Sequence, residues 1–364
     1  MTALTTPTSS AATQRTIENY SQPAWRRMLF TREMAIVALL VVVCVVSMAA
    51  VKGFSQPITI TYLLMDVAAV LIIALPMTLI MITGEIDLSV GSMVGLSSVT
   101  TGALYQAGLP FEVAALAAII VGVLGGAFNG FLVTKVGLPS LAVTIGTLAL
   151  FRGIAVGVLG TAAVTSFPEF WTDIAKAKIV GTPLPAIMIP FLILLAIFII
   201  VLHYTPFGRG VYAIGLSKEA AHFSGVPVGR TKFILFVLSG ALAALAGIYF
   251  TLRYGSARGD NATGLELQVI AAVVLGGVSV FGGRGKLFGV VAAVLLIGVL
   301  ASALRLANVT SDVINIITGV LLIASVVGAS LLPRIRRKRP RVAKSAKTDR
   351  PLVGTTSTKT TTSN

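Results

Sequence analysis

Two carboxylates lie close together between long apolar stretches in the first third of the chain. Glu85 and Asp87 belong to the segment Ile82 to Met93, which reads Ile-Thr-Gly-Glu-Ile-Asp-Leu-Ser-Val-Gly-Ser-Met. An ionisable group at bilayer depth costs about 2.5 kcal/mol or more, so it normally faces a bundle interior or a watery cavity. The pair is therefore a functional candidate. A loop at the membrane surface is the alternative interpretation, because the charge cost alone does not fix the depth.

Glycine interrupts the apolar sequence in both halves of the chain. Gly84 and Gly91 flank the two carboxylates, and glycine permits the non-helical backbone that membranes tolerate only where it is buried or lines a cavity. In the later half, Gly276 to Lys286 reads Gly-Gly-Val-Ser-Val-Phe-Gly-Gly-Arg-Gly-Lys between two apolar runs. Two such interruptions indicate a transporter with an internal repeat and a pathway between the repeats. Gly276 and Gly277 therefore join the carboxylates as candidates for the translocation path.

The sequence contains no pattern typical of a catalytic, metal or nucleotide site. Cys44 is the single cysteine, and His203 and His222 have no Cys or His partner at ligand spacing. Gly-x-Ser-x-Gly and His-Glu-x-x-His motifs are absent, and the Gly285-Lys286-Leu287 stretch lacks both the first glycine and the hydroxyl of a phosphate loop. The sequence therefore predicts a protein that is not an enzyme and that binds no metal or cofactor.

The composition predicts that membrane helices position the candidate residues. The chain has 364 residues, of which 56% are hydrophobic and 11% charged, and its mean hydropathy is +0.95. Soluble domains carry about 25% charged residues. The sequence therefore predicts an all-α, polytopic membrane protein with ten spans, listed here in order: Met34–Val51, Tyr62–Met81, Leu88–Tyr105, Val113–Val133, Leu138–Leu159, Pro185–Leu202, Lys232–Tyr254, Leu265–Phe281, Leu287–Leu304 and Val313–Leu332.

Most of the net charge of +15 lies in the C-terminal tail. From Arg334 to Lys359, ten Lys or Arg residues stand against Asp349, which gives +9. A basic segment after the last span is typical of a cytoplasmic end next to anionic lipid, and no aromatic pattern supports nucleic-acid binding. We therefore expect a disordered cytoplasmic extension over residues 1–33, a permease domain over 34–333, and a basic disordered cytoplasmic tail over 334–364.

The charges in the short connections favour cytoplasmic positions for both termini. The expected cytoplasmic set is Lys135, Arg209, Lys218, Arg230, Lys232, Arg284 and Lys286, and the expected external set is Lys52, Lys176, Lys178, Arg253, Arg258 and Arg305. The excess of positive charge inside is largest at the two ends of the chain. Between the spans, the external connection from Gly160 to Pro183 contains Trp171, which is an interfacial aromatic residue or a contact for an external partner.

A short helix is predicted in the longest cytoplasmic connection. Ser217 is a suitable N-cap, the residues from Lys218 to Phe223 form helices readily, and Gly225 followed by Pro227 ends the helix. Such an amphipathic helix would lie on the inner face of the membrane. It is either an ordinary surface helix or a contact for another protein.

Three ordered motifs resemble the inner-membrane permeases of ribose-type bacterial ABC importers. They are Ile86-Asp87-Leu88-Ser89-Val90-Gly91-Ser92, then Lys218-Glu219-Ala220-Ala221, and then Ala271 to Gly277 with Gly282-Gly283-Arg284-Gly285. The resemblance covers about residues 34 to 333. It implies an ATP-binding subunit with fused nucleotide-binding domains, a second permease that is identical or a paralogue, and an external substrate-binding protein, all at the bacterial inner membrane.

The resemblance also implies roles for individual residues. The residues that match the contact with the ATP-binding subunit are Lys218, Glu219, Ala220, Ala221, Ser224 and Gly225. The motif residues Asp87, Ser89 and Gly91 would lie beside the pathway, where the residue pattern described above also places Glu85, Gly276 and Gly277. One departure concerns Glu85, because the family commonly has Gly-Gly-Ile-Asp where this chain has Gly-Glu-Ile-Asp.

The predicted function is that of a permease subunit in an ATP-driven importer of a sugar or sugar-like molecule, namely rhamnose, a ribose-like pentose or autoinducer-2. The subunit would provide the translocation path by alternating access. The segment from Tyr254 to Asp260 and the run from Ile73 to Thr78 look most like permeases for rhamnose or for the autoinducer-2 signal. The alternative is a secondary transporter in which Glu85 or Asp87 binds a coupling ion. A membrane enzyme or anchor is a further alternative, which the missing nucleophile and base disfavour.

Overall fold

The computed structural model describes residues 32–310, 312–317, 319–320 and 323. The predicted N-terminal extension lies outside the described residues except for its last two, which begin the first helix. The predicted basic tail and most of the last predicted span also lie outside them.

The described residues form α-helices joined by short connections, which confirms the predicted all-α class. In chain order the helices are α1 Arg32–Ala50, α2 Pro57–Ile82, α3 Val90–Gln106, α4 Phe111–Phe131, α5 Ser140–Leu159, α6 Glu169–Lys176, α7 Met188–Tyr204, α8 Pro206–Leu216, α9 Lys218–Phe223, α10 Val228–Tyr254, α11 Leu265–Leu275 and α12 Leu287–Leu306. A π-helical turn, Leu132–Val136, continues α4. In the described part of the chain, β-structure is limited to two isolated bridges, one from Val164 to Ala257 and one from Lys178 to Pro185.

Six of the described helices are long and apolar enough to cross a membrane, or seven if the bent pair of α7 and α8 is one span. The ten predicted spans are therefore not all single, full-length helices. At 17 residues α3 is slightly short, and α11 has only 11, because it ends at Leu275 where the sequence predicted a span to Phe281. Conversely, Pro76 does not interrupt α2, which continues to Ile82.

Helix α2 is the centre of the bundle. Every residue from Val67 to Ile82 is buried, as expected of a helix that is apolar on all sides. Helix α10 packs against α2, α3 and α4, while α12 packs against α1, α2 and α11. The candidate carboxylates follow directly after α2, so they are attached to the most buried element of the protein.

The outer helices expose apolar faces, as lipid-facing helices do. On α4, Leu116, Ile120 and Leu124 are spaced four residues apart and are all exposed. The opposite face of α4 carries Gly122 and Gly126, which are buried against α10. Small residues on one side and large apolar residues on the other are typical of a helix packed inside a membrane bundle.

Polar contacts identify the two ends of the bundle. At one end, Asp66 near the start of α2 binds Arg253 at the end of α10, at 3.0 Å, and Arg305 at the end of α12, at 3.3 Å. At the other end, the region after α2 contacts Lys218 of α9 and Lys232 of α10. The cations predicted to be external and those predicted to be cytoplasmic therefore lie at different ends of the bundle, and the orientation of the two ends stays a prediction.

Candidate functional site

The segment that contains the two carboxylates begins with a helix C-cap. Gly84 has φ +81°, the backbone N–H of Glu85 binds the Ile80 carbonyl at 3.2 Å, and that of Gly84 binds the Met81 carbonyl at 3.0 Å. This pair of bonds is a Schellman motif, which requires a left-handed residue and therefore favours glycine. The motif ends α2 and turns the chain so that the carboxylates lie between α2 and α3.

Asp87 is the centre of a buried hydrogen-bond network. Its Oδ1 atom accepts from the backbone N–H and the hydroxyl of Ser89, at 3.0 Å and 2.6 Å, and its Oδ2 atom accepts from the Ser239 hydroxyl at 2.8 Å. The amide of Asn129 donates to the Ser89 hydroxyl at 2.8 Å. Asp87 thereby joins the N-terminus of α3 to α4 and α10, and both of its oxygens are occupied by protein donors.

Glu85 forms an ion cluster with two lysines from later in the chain. Its Oε1 atom lies 3.0 Å from the Nζ atom of Lys218 on α9 and 2.5 Å from that of Lys232 on α10. Glu85 and Lys232 are buried, whereas Lys218 is exposed. We call these three residues the Glu85 cluster. It ties the short helix α9 directly to the break after α2.

The predicted helix in the long connection is present with the predicted caps. The hydroxyl of Ser217 accepts a hydrogen bond from the Ala220 N–H at 3.2 Å, and Gly225 with φ +82° follows the C-terminus. Within α9, Ala221 is buried against the bundle, whereas Glu219, Ala220 and the following Ser224 are exposed. The helix therefore has one face on the bundle and one face free for a partner.

The free face of α9 combines negative charge with exposed apolar side chains. Hydrogen bonds from its own backbone N–H and from the Ser217 hydroxyl lower the pKa of the Glu219 carboxyl, which therefore stays ionised at neutral pH. Phe223 is 89% exposed and Leu216 is 72% exposed, values that are unusual for large apolar residues beside a charged helix. Phe223 at the end of α9 and Leu216 at the end of α8 therefore add exposed apolar area on either side of Glu219, and exposed apolar area is typical of interaction surfaces.

The two glycine-broken segments meet at the same end of the bundle. The backbone N–H of Gly283 donates to the Ile82 carbonyl at 2.8 Å, and Gly282 lies against Gly84. Gly215 of α8 packs into the same place, where a Cβ atom would overlap backbone atoms of Ile82 and Gly283. We call this contact the glycine junction. It joins the end of α2, the end of α8 and the loop between α11 and α12.

The predicted path residues have different positions in the structure. Glu85, Asp87 and Ser89 are buried within the break, as described above. Gly91 faces the side chain of Glu266 at the start of α11, and Gly276 packs against the backbone of α12 at Val290. Gly277, with φ +92°, is the left-handed residue of a second Schellman motif that ends α11.

Several residues of the site have no signal in the sequence. Lys232, Ser239 and Asn129 lie inside apolar helices, and their partners are 147, 152 and 40 positions away. Arg152 is a further example, because its guanidinium reaches carbonyl groups of Gly259 and Asn261, at 2.8 Å and 2.7 Å. A charged or amide side chain inside a membrane helix is a general signal that could have indicated Lys232, Asn129 and Arg152. Ser239 carries no such signal.

Comparison with known proteins gives a family match over most of the chain. The family described as branched-chain amino acid transport system / permease component matches residues 59–326. The chain is 37% identical over 311 residues to the autoinducer 2 import system permease protein LsrD of Escherichia coli K12 and to that of Shigella flexneri, a match that covers 84% of this chain and 94% of each relative. The protein of the same name from Escherichia coli O157:H7 is 37% identical over 312 residues. No solved structure matches the chain significantly.

Proposed function

The chain belongs to the permease component family of branched-chain amino acid transport systems, and from that membership we propose that it forms the translocation path of an ATP-driven importer for a small sugar-like molecule. The autoinducer 2 import permeases, at 37% identity, support a ligand of the autoinducer-2 type, and rhamnose is retained from the sequence analysis as the alternative. In this proposal the chain is a non-catalytic subunit of the bacterial inner membrane, and ATP is hydrolysed on a partner chain.

The observation that carries this proposal is the connection between α9 and the Glu85 cluster. Helix α9 exposes Glu219, Ala220 and Phe223, and its Lys218 forms an ion pair with Glu85. A movement of α9 caused by a bound partner can therefore be transmitted to the break after α2. A coupling element of this kind is needed when the energy source is a separate subunit.

The proposed assembly contains three kinds of partner. An ATP-binding subunit with fused nucleotide-binding domains docks on Lys218, Glu219, Ala220, Ser224 and Gly225, while the predicted contact residue Ala221 is buried and holds α9 on the bundle. A second permease, identical or a paralogue, completes the path, and an external binding protein delivers the solute. Closure of the ATP-binding subunit moves α9, and the glycine junction and the Glu85 cluster transmit this movement to both glycine-broken segments.

The secondary-transporter alternative has less support from the site. Asp87 already accepts three hydrogen bonds from protein donors, and Glu85 faces two lysine ammonium groups. Neither carboxylate is therefore free to take up a coupling ion without breaking these contacts. Uptake that collapses with an uncoupler, and that persists without an ATP-binding partner, would favour this alternative.

The first experiment is co-purification of the tagged chain from native membranes, followed by identification of bound proteins and an ATPase assay. We expect a fused-domain ATP-binding subunit and a second permease to be recovered. A single-subunit oligomer without ATPase activity would contradict the proposed function.

Charge reversal of Glu219 tests the docking face directly. We expect Glu219→Lys to prevent recovery of the ATP-binding subunit and to abolish uptake, because it reverses the charge of the exposed face while leaving the buried side at Ala221 unchanged. The membrane level of the protein should stay at the wild-type value. The matched control is Glu169→Lys, which makes the same change on exposed α6 at the other end of the bundle and should leave assembly intact. Unchanged assembly and uptake in Glu219→Lys would contradict the docking assignment.

A further inference from the structure

The segment between α10 and α11 enters the bundle without forming a helix. Residues 255–264 run alongside α3 in the opposite direction. Ala257 lies against Gly102, the Asn261 carbonyl lies against Gly95, and Glu266 at the start of α11 lies against Gly91. Because each of these α3 positions is glycine, the backbone of the segment approaches the helix closely. We call residues 255–264 the re-entrant segment.

The contacts with α3 give the depth that the re-entrant segment reaches. Gly102 and Gly91 are 11 residues apart on α3, which at 1.5 Å per residue corresponds to about 16 Å along the helix axis. The hydrocarbon core of a bilayer is about 30 Å thick. The segment therefore descends about half of the membrane, and α11 begins there, which explains why α11 is only 11 residues long.

One side of the re-entrant segment is fixed by hydrogen bonds to the bundle. The guanidinium of Arg152 on α5 donates to the carbonyl groups of Gly259 and Asn261, and the Asn261 amide donates to the Ser98 hydroxyl at 3.0 Å and to the Ser256 carbonyl at 3.0 Å. The N–H groups of Asp260 and Gly264 find no acceptor within the described part of the chain. These donors need water or a solute, because an unsatisfied backbone group in hydrocarbon costs several kcal/mol.

The other side of the re-entrant segment lines a cavity of about 770 Å³. Non-helical backbone at membrane depth is tolerated only where it is buried in protein or lines a water-filled space. Here the buried side faces α3 and Arg152, so the open side is left to water or, in the proposed assembly, to the second permease. The cavity is bounded elsewhere by side chains of α11 and α12 and by Ile314, Asn315 and Gly319.

The charges around the cavity compensate one another. Arg258 and Asp260 form a two-bond ion pair at 2.9 Å and 3.0 Å, and Arg305 is paired with Asp66. The side-chain amides of Gln268 and Asn315 also line the cavity, and no hydrogen bond to either occurs among the described residues. Among the side chains that line the cavity, the free hydrogen-bonding capacity is therefore carried by neutral amides, each of which can both donate and accept. One carboxylate oxygen of Glu266, in the first turn of α11, has no partner among the described residues, but it lies against Gly91 and does not line the cavity.

We propose that the re-entrant segment and the first turns of α11 form this chain's wall of the translocation path, and that Gln268 and Asn315 bind an uncharged, polyhydroxylated solute there. This inference rests on the proposed function and refines it. Hydroxyl groups both donate and accept, as the amides do, whereas a zwitterionic amino acid would need unpaired charges of both signs. Gly91, two residues after Ser89 of the Asp87 network, contacts Glu266 at the start of α11. This contact positions the wall on its side toward the bundle.

Cysteine accessibility tests the water-filled wall without knowledge of the solute. In a Cys44→Ala background, Gln268→Cys is compared with Leu150→Cys, which replaces an exposed apolar residue on α5. A membrane-impermeant methanethiosulfonate is added to whole cells and to inverted vesicles. We expect Gln268→Cys to react at least about tenfold faster from one of the two sides, because only a thiol in water forms the reactive thiolate. Equal, slow reaction of both variants would overturn the proposal.

Protection from labelling tests the class of solute. In the Cys44→Ala background, the assembled importer carries Thr263→Cys, a cavity-lining position that is not one of the two proposed solute ligands. It is labelled in the presence of saturating autoinducer-2, rhamnose or leucine. Slower labelling with autoinducer-2 or rhamnose, but not with leucine, supports a polyhydroxylated solute. Protection by leucine, or by none of the three, overturns the assignment of the solute class. If no ATP-binding subunit co-purifies, the proposed function fails instead, while the labelling rates still report whether the wall faces water.

Discussion

Glu85 is the residue whose environment differs most from a simple pathway position. Buried charges are stable only when they are paired, and removing one partner of a buried pair costs about 3–5 kcal/mol. Lys232 is buried within α10 and has Glu85 as its ionic partner. The Glu85 carboxylate therefore serves a specific lysine. It is a structural partner for Lys232 and a contact for α9.

Neutralising Glu85 should destabilise the protein by leaving the Lys232 ammonium group buried and unpaired. We expect Glu85→Gln to lower the melting temperature of the purified protein, with a cost of about 3–5 kcal/mol. The double variant Glu85→Gln with Lys232→Met should recover most of this loss, since it leaves no buried charge within the Glu85 cluster. Melting can be followed by the loss of the monodisperse peak on gel filtration after heating. Equal melting temperatures for wild type and Glu85→Gln would show that Lys232 is hydrated.

At the scale of residues, the sequence indicated the carboxylates but not their partners. Glu85 and Asp87 could be recognised because charges between apolar runs are rare. Apart from Ser89, which is two positions from Asp87, their lysine and serine partners lie 133 to 152 positions further along the chain. Such a distance can be bridged only by the packing of α10 and α9 against the end of α2, which no local pattern contains. The roles of the predicted path residues therefore stay predictions.

At the scale of elements, close packing of α4 on α10 depends on glycine. A Cβ atom at Gly126 would overlap the carbonyl oxygen of Phe236, and one at Gly122 would lie 2.5 Å from the carbonyl oxygen of Gly240. In a membrane, small residues at such positions let two helix backbones approach, and dispersion contacts then stabilise the pair. The contact also positions Asn129 and Ser239, which complete the Asp87 network.

Two Gly→Ala substitutions should therefore have opposite effects. We expect Gly126→Ala to destabilise the protein by about 1–3 kcal/mol, because the added methyl group overpacks the interface between α4 and α10. Gly146→Ala on α5 should be neutral or stabilise by about 0.5–1 kcal/mol, because no atom lies within 4 Å of the new Cβ and alanine favours the helix. Thermal unfolding of both variants in one detergent provides the comparison. Similar shifts for the two would contradict glycine-mediated packing.

The ends of α9 were predictable from its capping residues, whereas the end of α11 was not, although Gly277 caps it. Ser217, Gly225 and Pro227 gave the bounds of α9 correctly, because capping depends on neighbouring residues. The end of α11 at Leu275 was missed, since the apolar residues after Gly277 continue the hydropathy signal that was read as a full span. The re-entrant segment was also missed, because its depth follows from its contacts with α3 and Arg152.

At the scale of the whole molecule, the glycine junction connects the docking helix to both glycine-broken segments. Gly215 lies two residues before the N-cap of α9, and it fits against Ile82 and Gly283 because it has no side chain. The hydroxyl of Tyr212, on the preceding turn of α8, donates to the Gly285 carbonyl at 2.7 Å. A movement of α9 therefore reaches the end of α2 and the loop between α11 and α12 through direct contacts. The predicted internal repeat would place these two segments in corresponding positions, and it stays a prediction.

A methyl group at Gly215 should weaken coupling across the whole molecule. It would overlap backbone atoms of both Ile82 and Gly283, which cannot rotate away as a side chain can, so the three segments must separate. We expect Gly215→Ala to insert and to bind the ATP-binding subunit through the unchanged face of α9, but to reduce uptake per ATP hydrolysed at least about tenfold, the effect of losing about 1.4 kcal/mol of coupling. The control is Gly229→Ala in the first turn of α10, where the nearest atom to a new Cβ is 4.0 Å away. Measuring uptake and ATP hydrolysis together in reconstituted vesicles separates coupling from assembly. Wild-type uptake per ATP in Gly215→Ala would mean that the junction is only a packing contact, and that α9 acts on the break through Lys218 and Glu85 alone.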